Sequence, residues 1–242
     1  MPLRSHGTAE RRRVVLVHGS GAFGAAAWPA QHTLAGRFDT LFLRRTGFDP
    51  VAEPVATDFE ADARMVIDHL QAGGFAGGQV VAHSQGAVAA MMAALQRPDL
   101  VQSLILCEPA CLSLTQDLPA TAAHIQLLQP VFDRRADLSD EQFHREFGRL
   151  VYGRDARPLD SSSAEELRSA HRLRLQSPPW EAPLSIVPGV PTLVLTGGWE
   201  PMYEEVADYL VSTGAEHRVV GGGHRPQDTA AGQTAIREFL SR

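Results

Sequence analysis

The chain has 242 residues, enough for one large α/β domain or two small ones. Apolar residues make up 44% of it, which supplies a continuous core and excludes a disordered chain. A formal net charge of −6 leaves no concentrated basic face, so nucleic acid is not expected as a partner.

Arg11-Arg12-Arg13 reads as a solvated lead-in to the first strand. The apolar run that follows, Val14-Val15-Leu16-Val17, is too short for an export signal, and no stretch approaches the length of a membrane span. A cytoplasmic protein with no membrane partner is the expectation. Short β-branched runs predict strands at 14–18, 40–44, 79–83, 101–107, 192–196 and 216–220. Several are apolar at consecutive positions, as parallel strands covered on both faces require.

Helices alternate with these strands. Thr57-x-x-Glu60 has the spacing of a capping box, Phe59, Ala63, Val66, Ile67 and Leu70 form one apolar stripe, and Gly73-Gly74 ends it. Residues 85–96 are apolar nearly all round, which suits a buried helix ahead of Pro98. Cys107 and Cys111 fit neither a disulfide framework nor a zinc spacing and read as buried thiols; no metal is expected. From 113 to 188 the alternation stops. Helical patterns at 120–128, 140–152 and 164–176 take over, with capping-box spacings at Ser139-x-x-Gln142 and Ser163-x-x-Glu166. A last helix covers 228–240. The expected architecture is an open, mostly parallel sheet of about six strands with helices on both faces. Residues 1–112 and 189–242 would form this core, and 113–188 a helical lid over the strands' carboxyl ends.

Three stretches carry chemistry. In Val80-Val81-Ala82-His83-Ser84-Gln85-Gly86 an apolar strand runs straight into a helix, with a serine at the turn and a small residue two positions to either side. Such a turn strains the serine backbone and lifts its hydroxyl clear of the sheet, so Ser84 is the candidate nucleophile. The motif is usually written with Gly at the first small position, where this chain has Ala82. After strand 14–18 comes His18-Gly19-Ser20-Gly21, whose backbone N–H groups can meet a developing oxyanion. Ser20 and Gln85 amides would form that hole, with Gly19, Gly21 and the lid residue Trp180 lining the substrate pocket. Val219-Val220-Gly221-Gly222-Gly223-His224 places a glycine-hinged histidine after the last strand, the candidate base. His18 and His83 are expected to pack or hydrogen-bond within their motifs, and the remaining histidines to lie at the surface.

Strand-His-Gly-Ser-Gly, Ala-His-Ser-Gln-Gly and Gly-Gly-His together resemble the α/β-hydrolase superfamily over nearly the whole chain. The resemblance implies a cofactor-free hydrolase with a helical lid acting on a small-molecule substrate; the hairpin that usually precedes the oxyanion strand is expected to be missing, since only about a dozen residues come before Val14. It implies an acid that follows either the strand after the lid, where Glu200 stands, or, as in some lactone-cleaving members, the strand before it, where Glu108 stands. Glu200 has an alternative role at a helix start. Glu108 continues a buried strand and needs a partner there, which favours it. An apolar ester or lactone is the expected substrate. Carbon–carbon bond or thioester hydrolysis with the same triad, or ligand sensing on the same shell, are the alternatives. Epoxide and haloalkane hydrolysis need an aspartate where Ser84 stands.

Overall fold

The computed structural model describes residues 11–153 and 158–242. Six strands, β1 (Arg13–Val17), β2 (Asp39–Phe42), β3 (Gly78–His83), β4 (Val101–Cys107), β5 (Thr192–Thr196) and β6 (Glu216–Val219), form one sheet in the order β2-β1-β3-β4-β5-β6. Every pairing is parallel. The strand expectations hold to within two residues at each end. Strands β1, β3 and β5 are buried at every position, whereas the edge strands β2 and β6 are not, which is why only the inner strands read as continuous apolar runs.

Alternate side chains feed two cores. Val15, Val17, Val80, Ala82, Leu104 and Leu106 face helices α1 (Phe59–Gln71) and α2 (Gly86–Gln96). Val14, Leu16, Val81, Ile105, Leu193 and Leu195 pack instead on Trp28, Phe38 and the last helix, α7 (Ala230–Leu240). Helix α2 is buried from Gly86 to Ala94, as its all-round apolar composition requires.

Helices α3 (Pro119–Asp133), α4 (Asp140–Tyr152) and α5 (Ala164–Arg174) lie between β4 and β5, and α6 (Pro201–Ser212) follows β5. Among the described residues of 113–188 there is no strand. Ser139 and Gln142 form the full capping box of α4, while at α5 Ser163 accepts from Glu166 N–H and the Glu166 carboxylate accepts from Asp160 N–H.

Two local expectations are corrected. Helix α1 is capped by Asp58, whose Oδ1 accepts from Glu60 and Ala61 N–H at 2.9 and 3.0 Å. An anionic cap also meets the helix dipole, and Thr57 is left to accept from Ser177 N–H at 2.8 Å. Nor is the arginine run all solvated: Arg13 opens β1, is buried, and pairs with Asp39 at 2.5 Å.

Cys107 and Cys111 are free and buried; burial pushes both thiols up, Cys111 to about 12. Arg45 and Asp62 form a buried ion pair at 2.8 Å, with Asp62 Oδ1 also accepting from Thr46 N–H at 2.7 Å. Both side chains are 0% exposed. Asp62→Ala leaves a guanidinium without its anion in the core, so a loss of about 3–5 kcal/mol in urea unfolding is expected. A loss below about 1 kcal/mol would show that the pair is not a structural tie.

Candidate active site

Strand β3 ends at His83 and α2 begins at Gly86, so the chain turns within two residues. Ser84 takes up that turn with φ 52°, a left-handed conformation that costs a non-glycine residue about 1–3 kcal/mol. Its backbone is tied on both sides: Ser84 N–H donates to Cys107 O at 2.9 Å, and its carbonyl accepts from Ala87 and Ala110 N–H at 3.0 and 3.1 Å. Glycine at 86 has a direct cause. A Cβ there would stand 2.5 Å from His18 O and 2.6 Å from Val17 O. Ala82, the other small position, is wholly buried. Among the described residues nothing hydrogen-bonds the Ser84 hydroxyl, which lines a cavity of about 640 Å³.

The loop after β1 presses against this turn: a Cβ on Gly19 would lie 2.8 Å from Ser84 Cβ. Ser20 Oγ donates to Gln85 Oε1 at 3.0 Å, Gln85 Nε2 donates to Ser177 O, and Gln176 Nε2 to Ser20 O at 3.3 Å. The side chains thereby lock the two loops together. The backbone N–H groups of Ser20 and Gln85 find no acceptor among the described residues. His18 braces the loop from beneath. Its Nε2 accepts from Arg45 N–H at 3.1 Å, which leaves the proton on Nδ1, donated to Gly19 O at 2.8 Å. Burial, reinforced by the Arg45 charge, lowers the His18 pKa to about 3 and keeps the ring neutral.

His224 stands beyond β6 on Gly221-Gly222-Gly223, whose φ values of 71°, 84° and 56° are glycine conformations. Its carbonyl accepts from His83 Nε2–H at 2.7 Å. Burial, then the nearby His224, holds His83 well below the usual histidine pKa, so it serves as a neutral donor. The His224 ring lies 4.7 Å from that of His83 and 5.3 Å from that of Tyr203. Its Nδ1 is buried with no hydrogen bond, 3.6 Å from Glu108 Oε2.

Glu108 follows β4 directly, is 0% exposed, and has φ 47°; with Ser84 it is one of two non-glycine residues of positive φ among those described. Its Oε1 accepts from Gly197 N–H at 2.6 Å and its Oε2 from Trp199 Nε1–H at 2.9 Å. Glu200 is the N-cap residue of α6 but makes no side-chain capping bond. It lines the cavity, and burial together with the Glu108 charge raises its pKa. Among the described residues Glu108 is the one carboxylate in ion-pair contact with His224.

The cavity brings Gly19, Ser20, Gly21, Ser84, Gln85, Trp180, Glu200 and His224 to one space. Opposite the serine its wall is apolar, built from α3, α4 and the segment after α5. Trp180 meets Phe132 edge-on at 5.2 Å, and Phe143 stacks on Phe147 behind them. His124 and His144 also line it, contrary to the expectation of a surface position: each sits on the inner face of an amphipathic helix, whose period one isolated histidine does not reveal. Burial lowers the His124 pKa. Among the described residues no cluster of side chains could hold a metal ion, and no helix is long and apolar enough to cross a membrane.

Solved structures with this fold include NosK from Streptomyces actuosus, at 24% identity and TM-score 0.66 over 96% of this chain and 98% of that one. A thermophilic esterase from Thermogutta terrifontis matches at 22% identity and TM-score 0.67, covering 95% of this chain and 89% of that one. An epoxide hydrolase from Bacillus megaterium matches at 15% identity and TM-score 0.67, covering 96% and 94%. A search of curated proteins finds no match. The sequence model described as "Alpha/beta hydrolase family" matches residues 14–237, from the first strand into the last helix, and the chain therefore belongs to the alpha/beta hydrolase family.

Proposed function

We propose that the protein is a serine hydrolase that cleaves an ester or lactone of a small, largely apolar substrate through an acyl-enzyme. One observation carries this reading: the Ser84 hydroxyl is held by a strained turn, makes no hydrogen bond among the described residues, and faces the same cavity as His224. His224 Nε2 takes the hydroxyl proton as Ser84 attacks the substrate carbonyl. The oxyanion gathers at the Ser20 and Gln85 amides, where losing one donor costs about 3 kcal/mol of transition-state stabilisation. His224 returns the proton to the leaving alcohol, and water then repeats the cycle on the acyl-enzyme. Glu108 is the acid that fixes the imidazole; its 3.6 Å separation from Nδ1 is of the kind that tightens when substrate closes the site.

Helices α3–α5 act as a lid. Glu205 of α6 holds one end of it, accepting from Ala120 and Thr121 N–H at 2.8 Å each. The other end is held by Thr57 and by Gln85. The aromatic wall favours an apolar substrate over a polar one.

The test uses the intact protein and no added metal. Labelling by a fluorophosphonate and turnover of p-nitrophenyl butyrate are expected together, with labelled Ser84 recovered in the peptide map. Absence of both would sink the reading.

A further inference from the structure

The loop after β5 is where most enzymes of this kind carry the acid, and here it does something else. Gly197 N–H and Trp199 Nε1–H reach back across 89 and 91 residues of sequence and each take one oxygen of the Glu108 carboxylate. The acidic residue of the same loop, Glu200, makes no ion pair with His224 among the described residues. Oε2, the oxygen nearest His224 Nδ1, is thus also the oxygen that the indole holds.

We propose that Trp199 is a positioning residue for the reaction, its indole N–H fixing Glu108 Oε2 in line with His224 so that the loop after β5 supplies donors to the acid in place of the acid itself. This rests on the reading of Glu108 as the acid. A glutamate carboxylate, three side-chain torsions from the backbone, has several orientations open to it. Two N–H donors on separate oxygens leave it one. The indole suits this task because it donates one hydrogen bond and accepts none, so it cannot capture the imidazole N–H in place of Glu108. Its ring meanwhile packs 6.3 Å from Tyr203 and meets the His224 ring edge-on at 6.1 Å. Trp199 is 44% exposed, so the indole is not there for core packing. The Glu108 charge reaches Glu200 of the same loop and, after burial, raises its pKa.

The test compares Trp199→Phe, Trp199→His and Glu108→Gln with the native protein, by p-nitrophenyl butyrate turnover across pH and by the rate of fluorophosphonate labelling. Phe keeps the ring and loses the donor; His restores a ring N–H. For Trp199→Phe we expect kcat and the labelling rate to fall about tenfold with KM little changed. The acid limb of kcat/KM should move to lower pH, because a carboxylate no longer held in line with Nδ1 stabilises the imidazolium less. Trp199→His should recover part of the loss. A merely structural ring would leave both the labelling rate and the pH profile of the Phe variant unchanged. If the Phe variant matches the native protein while Glu108→Gln is severely impaired, the positioning role is wrong and the triad stands. If Glu108→Gln keeps its activity, the acid assignment and the Trp199 role fall together. Trp199 is exposed, so the melting curves of its two variants serve as a control for folding.

Discussion

Ser84→Ala is expected to lower kcat toward an activated ester by at least about a thousandfold and to abolish fluorophosphonate labelling, while the melting temperature stays at or above that of the native protein. The two halves of this result have separate causes. Activity falls because the hydroxyl is the only group at the elbow that can form the acyl bond, whereas the oxyanion amides and the apolar wall remain to support a small residual rate. Stability does not fall because the hydroxyl makes no hydrogen bond among the described residues; what holds the turn is the Ser84 backbone, through Cys107, Ala87 and Ala110, and alanine keeps all three contacts. The positive φ of the turn is equally strained for either residue. A strained backbone maintained around a side chain with no structural use is what a nucleophile's position looks like in energetic terms. Full turnover by Ser84→Ala would refute the covalent mechanism, and a large loss of stability would show that the hydroxyl has a structural partner after all.

The parts of this site that are legible in the sequence are those in which sterics or burial act over a few residues. Ala82, Ser84 and Gly86 are readable because a strand cannot turn into a helix within two residues unless its flanks are small, and the contact of Gly86 with the Val17 and His18 carbonyls is that requirement in atomic form. Glu108 is readable because a carboxylate that continues a buried strand must find donors. Which donors it finds is not readable, since Gly197 and Trp199 come from another strand's loop and neither residue type advertises a carboxylate partner. The same holds for α3. Leu118 offers its helix no cap, and the cap arrives as Glu205 from 85 residues away. Arg45 and Asp62 each look like surface residues of a loop and a helix until the fold closes them together beneath the oxyanion loop, where Arg45 Nη1 also reaches Gly19 O at 3.3 Å. Long-range polar partners are specified by three-dimensional proximity, and a hydrophobic period carries no information about them. The buried faces it does specify came out within a residue or two.

Glu108→Gln should lower kcat by about a hundredfold to ten-thousandfold, whereas Glu200→Gln should change it by less than about tenfold. The contrast follows from what converges on each carboxyl. Three N–H donors face Glu108: Gly197, Trp199 and, at longer range, His224 Nδ1. A carboxylate can accept from all three, but a glutamine offers one acceptor oxygen and sets an NH₂ against whichever donors remain. Whichever way the amide turns, either the imidazole loses its orienting acceptor or a buried N–H of the β5 loop is left unpaired. The first outcome costs catalysis and the second costs stability, so a melting curve taken beside the kinetics reports which one the amide selects. Glu200 carries no such convergence. It makes no capping bond to α6, and its carboxyl is pushed above the usual range by burial and by the Glu108 charge, so a neutral isostere disturbs little. Loss of two or more orders in Glu200→Gln, with Glu108→Gln still active, would move the acid to the loop after β5. Glu108 would then be a structural carboxylate whose strained backbone, buried charge and nearness to His224 all need another explanation.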